Sequence, residues 1–100
     1  MKAQALSILL ERRPQALLRV TGLLSRGNID IERWVLGVEG DDKEWRMVLG
    51  IRTDDAGLNW LIQRLNRQLE VIAVVCCGWQ DPEVRGWVSR VTGLPCEREV

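Results

Sequence analysis

The stretch Leu6–Glu32, L-S-I-L-L-E-R-R-P-Q-A-L-L-R-V-T-G-L-L-S-R-G-N-I-D-I-E, decides the fold. From Ala5 to Glu11, Leu6, Ile8 and Leu10 alternate with Ala5, Ser7 and Leu9, which predicts a strand with one apolar side and one mixed side. That pattern suits a sheet with helices on one face only. Arg12-Arg13-Pro14 ends the strand. Pro14 has no N–H and a fixed φ, so it fits the first turn of a helix. Over Pro14–Arg26, Ala16, Leu17, Val20, Leu23 and Leu24 fall on one face. Gly27 and Asn28 both tolerate a left-handed backbone and are expected to stop the helix. No Ser, Thr, Asp or Asn caps its start, so its first N–H groups are left for water or a ligand. The stretch holds no obvious nucleophile, base or metal ligand. It offers a strand edge and a helix N-terminus across a short loop, the makings of a binding and regulatory element.

Downstream, Ile29–Gly40 reads as a second strand and Gly40-Asp41-Asp42-Lys43 as a hairpin connection. In Glu44–Thr53, Trp45, Met47, Leu49 and Ile51 point one way and Arg46, Val48, Gly50 and Arg52 the other, the clearest strand signal in the chain. Thr53-Asp54-Asp55 supplies helix caps. Leu58, Leu61, Ile62, Leu65 and Leu69 then form the stripe of a helix over Ala56–Leu69. Glu70–Gly78 is apolar on both faces, which predicts a central or doubly covered strand. The order βαββαβ predicts an α+β, ferredoxin-like domain over 1–78: a four-stranded antiparallel sheet with two helices on one face. Right-handed crossovers set the strand order. The other face is expected to be bare in a monomer, for a dimer mate or partner to cover. Residues 79–100 form a tail. Asp81-Pro82-Glu83 starts a short helix with Val84, Trp87, Val88 and Val91 on one face, either a docked terminal helix or a partner-binding arm. Thr92-Gly93-Leu94-Pro95 stops it, and Cys96–Val100 is expected to fray.

Composition narrows the function. Lys+Arg and Asp+Glu number 14 each in 100 residues, so no net charge draws the chain to nucleic acid. The first strand has no aromatic to stack a base, which also counts against RNA. No run is long and apolar enough to span a membrane, and the N-terminus does not read as a signal peptide, so the chain is expected in the cytoplasm. Histidine is absent, and the three cysteines, Cys76, Cys77 and Cys96, show no C-x-x-C spacing, so neither a zinc site nor any other metal site is expected. Adjacent Cys76 and Cys77 should be free thiols on opposite strand faces. The five tryptophans, Trp34, Trp45, Trp60, Trp79 and Trp87, read as core or interface aromatics. No serine sits in a nucleophile elbow, and no phosphate-binding glycine loop occurs. Asp41-Asp42 and Asp54-Asp55 stand where turns and caps use aspartate. Arg12-Arg13 beside a helix N-terminus is either an anion site or a solvated basic turn. No catalytic residue and no cofactor is expected in this chain.

The opening stretch also resembles the N-terminal signature of ACT domains, and among them the small regulatory subunits of acetolactate synthase of the short single-domain type. The resemblance lies in L-S-I-L-L-E, in A-L-L-R-V-T-G-L-L-S-R-G and in I-E, with Leu58, Leu61, Leu65, Leu69, Val71 and Val74 echoing a later pattern, over about residues 4–78. It implies a non-catalytic subunit that binds and activates the catalytic acetolactate synthase subunit in branched-chain amino-acid biosynthesis. Thiamine diphosphate, Mg²⁺ and FAD would belong to that partner. It implies a homodimer, with a branched-chain amino acid effector bound where the loop after the first strand faces the dimer mate. By position that site maps to Arg12, Gln15, Ala16 and Leu17 with Asp30 and Ile31. The family's loop reads N-x-x-G-A-L, and an Asn opens its second strand. Arg12, Gln15 and Asp30 depart from that pattern, which implies weak or absent valine feedback. The alternative implied is a free-standing ACT dimer that senses a small amino acid.

Overall fold

The computed structural model describes residues 2–27, 29–40, 42–78 and 80–92. Along them run β1 (Lys2–Glu11), α1 (Pro14–Arg26), β2 (Asp30–Glu39), β3 (Glu44–Thr53), α2 (Asp55–Asn66), β4 (Val71–Cys77) and α3 (Pro82–Thr92). The strands make one antiparallel sheet in the order β2-β3-β1-β4. This is the expected βαββαβ fold. On one face Leu6 stands opposite Leu49, Ile8 opposite Met47 and Leu10 opposite Trp45. Ala16, Val20, Leu23 and Leu24 of α1 and Leu61 and Leu65 of α2 close over that row in a single buried cluster. The alternation in β1 and β3 thus becomes the core, because a strand's side chains have a period of two and only one face is roofed by α1 and α2.

Local chemistry sets the junctions. Gly40 and Asp42 both take positive φ (54° and 64°) in the β2–β3 hairpin. The Asp54 carboxylate accepts the Gly57 N–H at 2.7 Å and caps α2. The Asp81 carboxylate accepts the Glu83 N–H at 2.9 Å at the start of α3.

Four expectations change. β4 is neither central nor doubly covered: it is an edge strand, with Ile72 48% and Val75 55% exposed. A continuous apolar run does not by itself tell a buried strand from an edge. α2 ends at Asn66, and Leu69 stands 90% exposed beyond it. Arg67 and Gln68 donate to the carbonyls of Arg64 and Leu65, three residues back, so the last turn tightens and Leu69 leaves the stripe. Gly27 has φ −78°, an ordinary right-handed value, so it is not there for a left-handed backbone; Asn28 lies outside the described residues. Finally, the second sheet face is not bare. α3 lies on it, with Val84 and Trp87 buried against Val48 and with Val35, Cys77 and Val88 alongside. A Cβ at Gly37 would come within 2.9 Å of both Val91 methyls and 3.0 Å of Trp87, so this glycine lets the helix approach β2. The tail is a docked helix, at least to Thr92; the expected stop at Gly93–Pro95 and fraying of Cys96–Val100 lie outside the described residues.

Gly27 therefore has a steric reason. A Cβ there would meet the Trp60 ring at 2.5 Å and Ile29 at 3.0 Å, at the seam of α1 and α2. Gly27→Ala is expected to destabilise the chain by about 1–3 kcal/mol by overpacking. A urea titration checks this. Gly27→Asn should do no better, whereas a left-handed cap would have been rescued by asparagine.

Candidate effector site at the β1–α1 loop

The loop is built by strand ends meeting. Arg12 N–H donates to Lys43 O at 3.1 Å, and its guanidinium reaches Asp42 O at 3.0 Å, so the loop is tied to the β2–β3 hairpin. Arg13 has extended backbone angles (φ −135°, ψ 141°) and no side-chain cap bond, so the helix start is uncapped as expected. Its carbonyl takes the N–H of Ala16 at 3.0 Å and of Leu17 at 3.4 Å. Pro14 has no N–H to give. Among the described residues, that leaves the Gln15 amide as the helix-start donor without a backbone partner, next to the exposed Gln15 side chain.

Arg12 and Gln15 are exposed at this end. The Arg12–Arg13 pair is a solvated turn in which Arg13 is occupied by Glu11 at 3.2 Å. Ala16 is 1% exposed and belongs to the core, and Leu17 packs against it, so these two shape the loop from beneath. Asp30 and Ile31 lie elsewhere. They pair with Arg52 and Ile51, whereas Glu11 and Glu39 both pair with Glu44. The two ends lie eight residue steps apart along β3, from Glu44 to Arg52, about 27 Å at ~3.4 Å per step. One chain thus brings Arg12, Gln15, Ala16 and Leu17 together and leaves Asp30 and Ile31 at the opposite end of the sheet.

The structure also has a cleft that the sequence did not reveal. It lies between α3 and the far face of the sheet and encloses about 780 Å³, lined in part by Ser7, Arg46, Val75, Cys77, Asp81 and Trp87. Arg46 bridges it: its Nε meets the Glu39 carboxylate and its Nη1 donates to Ser7 Oγ at 2.7 Å. The sequence signal was the outward register of Ser7, Arg46 and Val48, which points the same way as Cys77 once β1, β3 and β4 are paired. Burial first, then the nearby Asp81 carboxylate and Cys76, push the Cys77 thiol above its ordinary 9.0, and Arg46 only partly opposes this. Cys77 is therefore a neutral, sluggish thiol at neutral pH, and both Cys76 and Cys77 are free. In a Cys96→Ser background, the maleimide labelling rate of Cys77 is expected to rise at higher pH than that of an ordinary exposed thiol, with mass spectrometry separating it from Cys76.

Among the described residues no cluster of three or more potential metal ligands forms, and no helix is long and apolar enough to cross a membrane. No family model matches the chain. It is 32% identical over 74 residues to the acetolactate synthase small subunit of Mycobacterium bovis, covering 74% of this chain and 44% of that protein. It is 33% identical over 69 residues to a probable acetolactate synthase small subunit of Archaeoglobus fulgidus, covering 69% and 43%. The chain thus spans less than half the length of these relatives. In three dimensions it is similar to the acetolactate synthase small subunit of Thermotoga maritima, with a TM-score of 0.71 at 20% identity over 83% of this chain and 51% of that one. It is also similar to the ACT domain of a GTP pyrophosphokinase of Chlorobium tepidum, with a TM-score of 0.65 at 21% identity over 75% and 96%. The strand order, α1 and α2 together on one face and these likenesses agree: the chain has the ACT-domain fold and is a homologue, over about three-quarters of its length, of proteins named acetolactate synthase small subunit.

Proposed function

We propose that this chain is a non-catalytic regulatory subunit that binds the catalytic subunit of acetolactate synthase and raises its activity, in the cytoplasm, within branched-chain amino-acid biosynthesis. The identity to small subunits over 74 residues is the observation that carries the reading. Activation of this kind is a coupling free energy: the subunit favours the active arrangement of its partner through an interface and does no chemistry itself.

The separation within the candidate site supports a homodimer. β2 is a sheet edge, and Trp34 and Val38 are each 45% exposed along it. Two copies paired antiparallel through β2 would carry Asp30 of one copy toward the Arg12–Leu17 loop of the other, because a two-fold axis reverses the strand. An effector site would then be completed between copies, where a branched-chain amino acid would bind weakly, given Gln15 and Asp30. The decisive test is an acetolactate assay of the catalytic subunit with and without this chain, beside calorimetry with valine, leucine and isoleucine. A rise in activity upon mixing is expected. Tight amino-acid binding with no effect on the catalytic subunit would instead make the chain a free-standing sensor.

A further inference from the structure

The sheet has a second edge, and its chemistry differs from that of β2. Glu11 N–H donates to Glu70 O at 2.8 Å on the β4 side, whereas Arg12 N–H donates to Lys43 O on the β3 side. Backbone groups alternate in direction along a strand, so Leu9, Ser7 and Ala5 address β4. Their partners are Ala73, Val75 and Cys77. The N–H and C=O groups of Val74 and Cys76 therefore point away from the sheet. Natural edges are usually blunted by charge, proline or bulges. β4 reads V-I-A-V-V-C-C, with a single register shift at its start and no charge or proline. β2 carries Asp30, Glu32, Arg33 and Glu39. Ile72, Val75 and Leu69 add half-exposed or exposed apolar surface at the β4 edge.

The strand count narrows what fits there. Each chain holds one four-stranded sheet, and two of them joined through β2, as in the dimer proposed above, would approach the roughly 10 strands at which open twisted sheets curl or split. A further copy at β4 would prolong the sheet without closing it. One added strand at each outer edge stays within the limit. We infer that β4 receives an extended, uncharged, β-branched segment of the catalytic subunit as a fifth antiparallel strand. This rests on the regulatory-subunit reading and the β2-paired dimer proposed above, and names the surface through which the subunit acts. Main-chain bonds to Val74 and Cys76 supply the affinity, and the lack of charge selects an uncharged segment.

Amide exchange in the chain alone and in its complex with the catalytic subunit tests the inference, together with Val75→Lys and Cys76→Pro. Lysine blunts the edge, and proline removes an outward N–H that β1 does not use. In the free chain the Val74 and Cys76 amides should exchange as exposed groups, and in the complex they should slow by about 100-fold. Each variant should weaken binding by about tenfold or more, with the mass of the regulatory chain alone unchanged in sedimentation. Circular dichroism verifies that each variant is folded, and Val75→Lys stands as the readout if proline disturbs β4. Protection already present in the free chain, or wild-type affinity in a folded variant, overturns the inference. Activation with the β4 amides left unprotected sinks this inference alone. Failure of the wild-type chain to bind the catalytic subunit overturns the regulatory reading and this inference with it.

Discussion

Leu49→Ala should cost about 2–5 kcal/mol, the largest loss of stability expected from any single truncation in this chain. Leu49 is 0% exposed in β3 and sits between Leu6 of β1 and Trp34 of β2, on the face roofed by α1 and α2. Its neighbours in the cluster belong to both strands and both helices, so no single element can collapse into the space it leaves. The lost contacts and the residual cavity then add. For a domain whose total stability is about 5–15 kcal/mol, that is a large share. At this chain length each kcal/mol lowers the melting temperature by about 4–8 °C. A urea titration with the slope compared to wild type checks it. A loss below about 1 kcal/mol would mean that β3 is not the centre of the core. Val48→Ala, one residue along, removes a side chain that α3 covers from the other face. It should cost less, because one short helix closes over that side.

The difference between these two positions also marks how far the sequence could be read. Leu6, Ile8 and Leu10 in β1, and Trp45, Met47, Leu49 and Ile51 in β3, announce their face by alternation, and the structure buries the row they form. The α1 stripe does the same through Ala16, Val20, Leu23 and Leu24. These signals are local and periodic, so composition and spacing suffice. β4 misleads because V-I-A-V-V-C-C is apolar at every position, and apolarity alone carries no direction. Its edge place follows from where β1 lies, which is a long-range fact. Gly27 misleads for a similar reason: a glycine after a helix invites a left-handed reading, while the Trp60 ring that requires it lies more than 30 residues away in sequence. The α3 stripe was legible, but the face it would choose was not. Gly37 is the mark of that choice, and a lone glycine in a strand can equally mark a bulge or a bend.

The candidate site divides in the same way. The uncapped helix start could be read from R-R-P-Q, because no residue there has a side chain suited to capping. Which amides stay open could not. The structure shows that the Arg13 carbonyl takes those of Ala16 and Leu17, and the Gln15 amide is the one left beside the loop. Nor does spacing reveal that Asp30 lies at the far end of the sheet from the loop it was grouped with. Within one chain that placement keeps Asp30 away from the loop, and the proposed dimer is what would bring an Asp30 to it.

Restoring the residues expected at two of these positions should therefore change ligand affinity more than any other surface substitution in the chain. In the proposed dimer, a bound amino acid would direct its carboxylate at the open Gln15 amide at the positive end of α1, with Asp30 of the partner copy nearby. A carboxylate at that position repels the ligand's own by about 1–4 kcal/mol at contact distance. The Gln15 side chain is exposed and belongs to the residue whose amide is the donor, so a ligand carboxylate has to approach past it. Gln15→Gly with Asp30→Asn removes both obstacles. The glycine costs at most about 1 kcal/mol of helix stability, and in the first turn less, since fewer helical bonds depend on it. Valine affinity is expected to rise by at least about tenfold over wild type, measured by calorimetry at constant pH and salt. Adding Trp34→Lys, which puts a charge on the exposed β2 edge, should abolish the gain if the site needs two copies. An unchanged affinity in the double variant would show that Gln15 and Asp30 are not what limits binding. A gain that survives in a monomeric Trp34→Lys variant would place the site within one chain and remove the β2 pairing from the argument.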